Sequence, residues 1–419
     1  MLDIKLFREN PEKIKKSEKD RFKDVSVVDK VIDFDKRWRE RLDEIQKLKH
    51  EKNQISEEIG LLKRAKKDAE DLIVKASKTD DEISKLEREV QFLKEERETY
   101  RYKIGNILDK SVPVAPTEED NITVRTFGEQ KEFEFTPKGH AELVERFAEL
   151  ERAARISGAR TYYLKGDLVL LNLALIDFGI KSLIKKGFLP VQTPFFINKK
   201  HMKAAAELAD FEETLYKLEG EDSYLIATSE QSIASLHSEE ILGEETLPLK
   251  YAGYSTCFRK EAGSHGKDTK GIFRVHQFEK IEQFIFSNPK DSWKLFEELI
   301  NNTEEIYQAL ELPYRIVNIA SGELNDNAAK KYDLEAWFPA QKKYRELGSC
   351  SNCTGFQAAK LNVKFGKHGG NKELVHTLNS TAIATERTIA CILENYQQED
   401  GSIIVPKVLR AFVGKEVIK

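Results

Sequence analysis

From Ile83 onward the apolar residues Ile83, Leu86, Val90, Leu93, Tyr100, Ile104 and Ile107 recur at alternating spacings of three and four, with Arg97 in the one charged slot. That rhythm is a heptad seam about three and a half repeats long. A less regular seam runs upstream through Trp38, Leu42, Ile45, Ile55, Ile59 and Leu62. Between them KRAKKDAEDLIVKASKTD (63–80) is too polar to continue a tight seam and reads as the connection. Two helices that are charged except along one stripe satisfy those stripes by folding on each other. An antiparallel hairpin projecting into solvent is therefore expected. Such a hairpin serves as a dimerisation coil, a spacer or a polyanion contact. The basic tip of Lys63, Arg64, Lys66 and Lys67 favours the polyanion.

The helical region ends at SVPVAPTEEDN (111–121), where Pro113 and Pro116 stop any helix. The chain divides there into an arm, 1–112, and a second domain, 113–419. In the second domain LKGDLVLLNLALIDFGIKSLIKK (164–186) reads as a buried helix stopped by Gly187, and FLPVQTPFF as a strand broken by Pro190 and Pro194. YLIAT, YSTCFRKE, IFRVHQFEKIEQFIF, RIVNIA and KKYRELGS alternate as strands do. AIATERTIACILENY (382–396) is the last strong helix, with Asn379 and Ser380 as cap candidates. Strands in the middle with helices around them predict an α+β domain on an antiparallel sheet. No G-x-G-x-x-G follows a strand and no P-loop is present, so a nucleotide here needs neither fold.

A formal net charge of −4 over 419 residues does not mark a general polyanion binder, so nucleic acid has to be met by local patches. The four cysteines are too few for a disulfide framework, and CSNC lacks the second pair or histidines of a zinc site. No apolar run approaches the roughly 18 residues of a membrane span. The opening MLDIKLFRENPEKIKK lacks an apolar signal core. A cytoplasmic protein is expected.

The chemistry concentrates in CFRKEAGSHGKDTKGIFRVHQFEKIE (257–282). Alternation puts Arg259 and Glu261 on one face of a first strand, and Arg274, His276, Phe278 and Glu282 on one face of a second. A mid-strand guanidinium forks onto phosphate or carboxylate, and Phe278 offers a ring to a flat ligand. The loop between them is a Gly-rich, cationic cover for a polyphosphate. Arg387 supplies a second guanidinium. Glu346 and Ser349 are oxygen ligands suited to Mg²⁺, provided that Gly348 marks a bulge that brings them to one side.

FRKE with the loop and HQF resembles motif 2 of the class II aminoacyl-tRNA synthetases. GFLPVQTPFF resembles their motif 1, and TLNSTAIATERTIACILENYQ their motif 3, with Arg387 as its arginine. TSEQ (228–231), HQFEKIE (276–282), CSNC (350–353) and ILENYQQEDGSIIVPKVLR (392–410) are similar to the seryl-tRNA synthetase family, as are MLDIKLFRENP and the coiled arm. The resemblance spans the chain. It implies a class II synthetase-like antiparallel sheet in the catalytic domain, and an arm that binds tRNA(Ser), with tRNA(Sec) a further candidate. It implies ATP and L-serine as substrates, Mg²⁺ as cofactor, and a homodimer. Arg259 and Arg387 take the catalytic roles. ATP falls to Arg259, Lys260, Glu261, Val275, Phe278, Glu346, Leu347, Gly348, Ser349 and Arg387, and the metal to Glu346 and Ser349. Serine falls to Thr228, Ser229, Glu230, Arg259, Glu282, Asn379 and Thr381.

Departures are equally specific. Gly355, Ala359 and Lys360 stand where the family usually has Asp and two arginines, Glu386 where it has a small residue, and Gly348 where Ser or Thr is common. Two rivals remain open at this level: a synthetase paralogue that charges a carrier protein, and a non-catalytic coiled-coil scaffold.

Overall fold

The computed structural model describes residues 1–205, 214–261, 268, 270–367 and 369–419. They form two compact units. One comprises Leu2–Lys19 and Lys23–Gly105, the other Asn106–Lys419 with Met1 and Asp20–Phe22.

The first unit is dominated by helices α1 (Ser26–Arg64) and α2 (Glu70–Arg101), packed along their lengths. Ile45, Ile55, Ile83 and Leu93 are buried in the seam. Arg97 holds its place there because it has partners. Its Nη1 donates to Asp35 Oδ1 at 2.9 Å, and its guanidinium lies 4.6 Å from the centroid of the Trp38 ring. Two expectations change. The connection is not 63–80, since α2 already begins at Glu70. An exposed helix needs only one apolar stripe, and beyond the seam polar residues of good propensity extend it. Ion pairs cross the hairpin there, Lys52 to Asp80 at 2.5 Å and Lys75 to Glu51 at 2.8 Å. At the other end the apolar rhythm runs on to Ile107, but the helix stops at Arg101 and Ile104 is buried outside it.

The second unit is built on eight strands: β1 (Ile122–Phe127), β2 (Leu189–Gln192), β3 (Leu249–Phe258), β4 (Gln277–Ser287), β5 (Tyr314–Asn318), β6 (Lys330–Phe338), β7 (Lys343–Thr354) and β8 (His376–Ala384). Their order is β1-β5-β6-β7-β8-β4-β3-β2, antiparallel throughout except that β2 runs parallel to β3. Alternation along β4 divides the core. Ile281 and Ile285 join one apolar cluster with helices α3 (Asp167–Ile184), α5 (Ser292–Ala309) and α6 (Thr385–Tyr396), while Phe284 and Phe286 join another with Ile233 of α4 (Ser229–Leu236). Gly179 lets α3 sit this close. A Cβ there would fall 2.6 Å from Ile281 Cδ1 and 2.9 Å from Ile383 Cδ1.

Several boundaries differ from the sequence reading. YSTCFRKE ends as a strand at Phe258, so Arg259 lies just past β3 rather than mid-strand, although its N–H still donates to His276 O at 2.9 Å. Asn379 and Ser380 are not caps. They lie inside β8, where Ser380 is paired with Cys350 on one side and Gln283 on the other, and the helix begins at Thr385. Two-sided sheet pairing outweighs a local capping preference. FLPVQTPFF forms two short strands, 189–192 and 196–198. Strands β1, β6 and β8 and helices α4 and α5 were not anticipated. Most of the Gly-rich loop 262–271 lies outside the described residues.

Candidate active site

A cavity of about 330 Å³ opens over the face of the sheet that carries Phe278 and Lys280. Every residue expected at ATP borders it except Lys260, whose ammonium lies 6.0 Å from the Tyr216 ring. Of the residues expected at serine, Glu230, Arg259, Asn379 and Thr381 border the cavity, and Thr228 borders an adjoining one of about 380 Å³. Glu282 is buried beneath the floor. Its Oε2 is 2.7 Å from Lys280 Nζ and accepts from Thr381 Oγ1 at 3.3 Å. Ser229 is placed differently from the rest. It is fully buried, its Oγ donates to Gly253 O at 3.4 Å, and it borders neither cavity.

Backbone irregularities aim these groups. On β7, Gly348 pairs with Leu334 and Glu346 with Glu335, so Leu347 is the extra residue of a bulge. The expected bulge therefore exists, and Glu346 and Ser349 both border the cavity. Gly348 has a second reason to be glycine, because a Cβ would meet Thr381 at 3.1 Å. On β8 a register shift after Thr381 leaves Thr381 directly opposite Glu282. Thr228 caps α4 and sets Glu230 in its first turn, where Gln357 Nε2 at 2.9 Å and Asn379 Nδ2 at 3.1 Å both donate to Glu230 Oε1.

The electrostatics divide the cavity. At one end Arg259 lies 5.1 Å from the Phe278 ring centroid and Arg387 5.1 Å from that of Phe273, two guanidinium–ring pairs. Burial would raise the Glu346 carboxyl, but Arg387 at 3.3 Å, Lys331 and Arg259 outweigh it and hold it at about 2. Behind it, burial and Glu346 push Asp333 up to about 7, against Lys331. One carboxylate on this wall thus stays ionised at neutral pH. At the other end burial, then Glu282, pushes Glu230 up to about 7, against Lys280, Gln357 and Arg259.

Sequence reasoning missed Lys280, although it belongs to the same alternation as Phe278 and Glu282. It also missed Arg345, next to Glu346. Arg345 pairs with Asp268, and Arg274 donates to Glu261 Oε2 at 2.8 Å. Both arginines border a further opening of about 660 Å³, which shares Glu346 and Arg387 with the main cavity. The site therefore continues into a second compartment lined by paired arginines and carboxylates, among them Arg345 with Asp268 and Arg315 with Glu335. Lys63, Arg64, Lys66 and Lys67 lie at the turn of the helical hairpin and are all exposed.

Residues 1–108 match the family model for the seryl-tRNA synthetase N-terminal domain, and 214–396 match that for the class II tRNA synthetase core domain (G, H, P, S and T). Serine–tRNA ligase of Methanosphaera stadtmanae is 55% identical over 425 residues, covering 100% of both chains. The chain belongs to the seryl-tRNA synthetase family. It is an enzyme, a class II serine–tRNA ligase, and the carrier-charging and scaffold alternatives find no support among these relatives. The crystal structure of seryl-tRNA synthetase from Pyrococcus horikoshii complexed with ATP superposes with a TM-score of 0.94 at 46% identity, covering 100% of this chain and 99% of that one. Cytoplasmic serine–tRNA ligase from Naegleria fowleri in complex with AMP gives 0.90 at 44% identity, with the same coverage. Against this family, Gly355, Ala359 and Lys360 fall outside the cavity lining, whereas Glu386 borders it.

Proposed function

We propose that the cavity binds ATP and L-serine side by side and joins them as seryl-adenylate, after which serine passes to the terminal adenosine of tRNA(Ser). A serine carboxylate oxygen attacks the α-phosphorus, one P–O bond forms, and the bond to the leaving pyrophosphate breaks. No covalent enzyme group is required, so positioning and charge stabilisation carry the rate. Arg259 grips the α-phosphate and the serine carboxylate. Adenine lies on Phe278 with Arg387 on its other side. Arg274 and Arg345 face the departing phosphates. Glu230 takes the serine ammonium, and Thr381, backed by Glu282, the hydroxyl. The observation that carries this reading is the convergence of Arg259, Phe278, Glu346 and Arg387 on the one cavity that Glu230 and Thr381 also line. Relatives solved with ATP and with AMP support it.

Mg²⁺ fits the wall at Glu346 and Ser349. Glu346 is ionised, and both residues are hard oxygen donors. Among the described residues no group of three or more His, Cys, Asp or Glu forms a cage, which suits an ion held largely by phosphate oxygens. When bound, it would neutralise charge on the phosphates.

We assign residues 1–112 to tRNA binding and 113–419 to catalysis. Val169, Leu170 and Leu173 of α3 and Leu189 of the edge strand β2 are exposed, an apolar surface suited to a two-fold homodimer. Light scattering that reads a fully active monomer at micromolar concentration would count against the dimer. Among the described residues no helix is long and apolar enough to cross a membrane, and a cytoplasmic enzyme is the reading that the relatives support. Arg259→Ala tests the site. Serine-dependent ATP–pyrophosphate exchange should fall by about 10²–10³ with the fold retained. A folded variant with near wild-type exchange would remove Arg259 from the mechanism.

A further inference from the structure

Glu386 has no part in the roles above, yet it borders the cavity and is only 2% exposed. It is the second residue of α6, immediately before Arg387. Its Oε1 accepts from the Tyr162 hydroxyl. Its Oε2 accepts from the Glu279 backbone N–H at 3.0 Å and from Thr385 Oγ1 at 2.9 Å. Three donors converge on a carboxyl that burial would otherwise penalise.

What these bonds join matters. Glu279 follows Phe278 at the start of β4, and its own carboxylate is fixed by Tyr254 of β3 and Asn172 of α3. Tyr162 belongs to a segment laid against the base of the hairpin. Two residues earlier, Arg160 O accepts from the His276 N–H at 3.0 Å and Arg160 Nη1 donates to Glu261 O at 3.3 Å. Glu386 is thus the point where the helix carrying Arg387, the strand carrying Phe278 and the segment bonded to His276 and Glu261 are tied together. The serine end is built from other bonds, those of Glu230 with Asn379 and Gln357 and of Glu282 with Lys280 and Thr381.

We propose that Glu386 is a positioning residue for the nucleotide, holding Arg387 and Phe278 at the separation a bound adenine requires, with Tyr162 as the partner that aims it. The proposal rests on the reading of the cavity as an ATP site. It predicts a defect confined to one substrate, which a general loss of packing does not produce.

The test is the KM for ATP and for serine in pyrophosphate exchange, with thermal unfolding in parallel, for the full-length protein and its variants. Glu386→Ala should raise the KM for ATP roughly 10- to 100-fold while the KM for serine moves by less than about threefold. Glu386→Gln keeps an acceptor for the Glu279 N–H and a partner for the Tyr162 hydroxyl, and should stay within about threefold of wild type for both. Tyr162→Phe should give an intermediate rise for ATP and add nothing on the Glu386→Ala background. A folded Glu386→Ala with a wild-type KM for ATP, or with equal rises for both substrates, overturns the proposal. If Glu386→Ala unfolds, Tyr162→Phe decides the matter by the same criterion. If the wild-type protein shows no serine-dependent exchange, the ATP-site reading fails and the proposal falls with it.

Discussion

Lys280, which borders the cavity, holds its Nζ 2.7 Å from Oε2 of the buried Glu282, with the two side chains 10% and 1% exposed. Burial raises the Glu282 carboxyl, and Lys280 and Thr381 offset only part of the rise. Removing the ammonium leaves Glu282 and nearby Glu230 without it. Lys280→Met should destabilise the protein by about 3–5 kcal/mol, the range seen when one partner of a buried pair is removed. Glu282→Gln added to Lys280→Met should restore much of the loss. Denaturant midpoints measure both, and an unmoved midpoint in the single variant would mean that the pair is not holding the floor together.

Serine selection should be strict. Thr381 borders the cavity with Glu282 bonded behind it, and alanine would offer this polar end of the site no partner in place of the serine hydroxyl. Discrimination against alanine in kcat/KM should then reach about 10⁴ or more. Comparable exchange rates with alanine and serine would end the idea that these two residues read the hydroxyl.

Serine use should also depend on pH. Glu230, raised from 4.5 to about 7, keeps its proton in the free enzyme over an interval where the unfolded chain has lost it. Its contribution to stability therefore declines as pH rises from about 4.5 to about 7 and is level above. Binding the serine ammonium needs the carboxylate, so the proton has to leave. kcat/KM for serine should climb between pH 6 and 7 and flatten above, and Glu230→Gln should remove the climb. Asp333 and Glu386, also raised to about 7, affect the stability curve, which makes the serine profile the sharper measurement.

The arm should matter to tRNA and not to adenylate formation. Lys49 and Glu87 pair across the hairpin at 2.8 Å, so cutting both helices there removes matched lengths. Deleting the outer part should leave pyrophosphate exchange nearly intact and strongly reduce tRNA charging. Neutralising Lys63, Arg64, Lys66 and Lys67 should weaken tRNA binding and flatten its salt dependence. Undiminished charging by the deletion variant would exclude the arm from tRNA recognition, and equal loss of both reactions would give it a structural role.

The sequence by itself determined the elements whose pattern is local. The two heptad seams pointed to the helical hairpin, because two such stripes joined by a short polar segment can bury each other by folding back. The strand period put Phe278 and Glu282 on one face, and glycine at 348 signalled the bulge that brings Glu346 and Ser349 to the cavity. Tertiary structure decided what depends on partners distant in the chain. Polar residues continued both helices through 63–64 and 70–80, where the missing seam had suggested a linker. Asn379 and Ser380 look like caps in sequence but are strand residues, because β7 and β4 both claim their backbone. Arg259 left the strand yet stayed at the site, and Ser229 was turned into the core against Gly253. Glu386 read as an unexplained departure until Tyr162 and the Glu279 N–H, 224 and 107 residues away, met it. A carboxyl acquires its meaning from the donors folded around it, and no local period in the sequence encodes those.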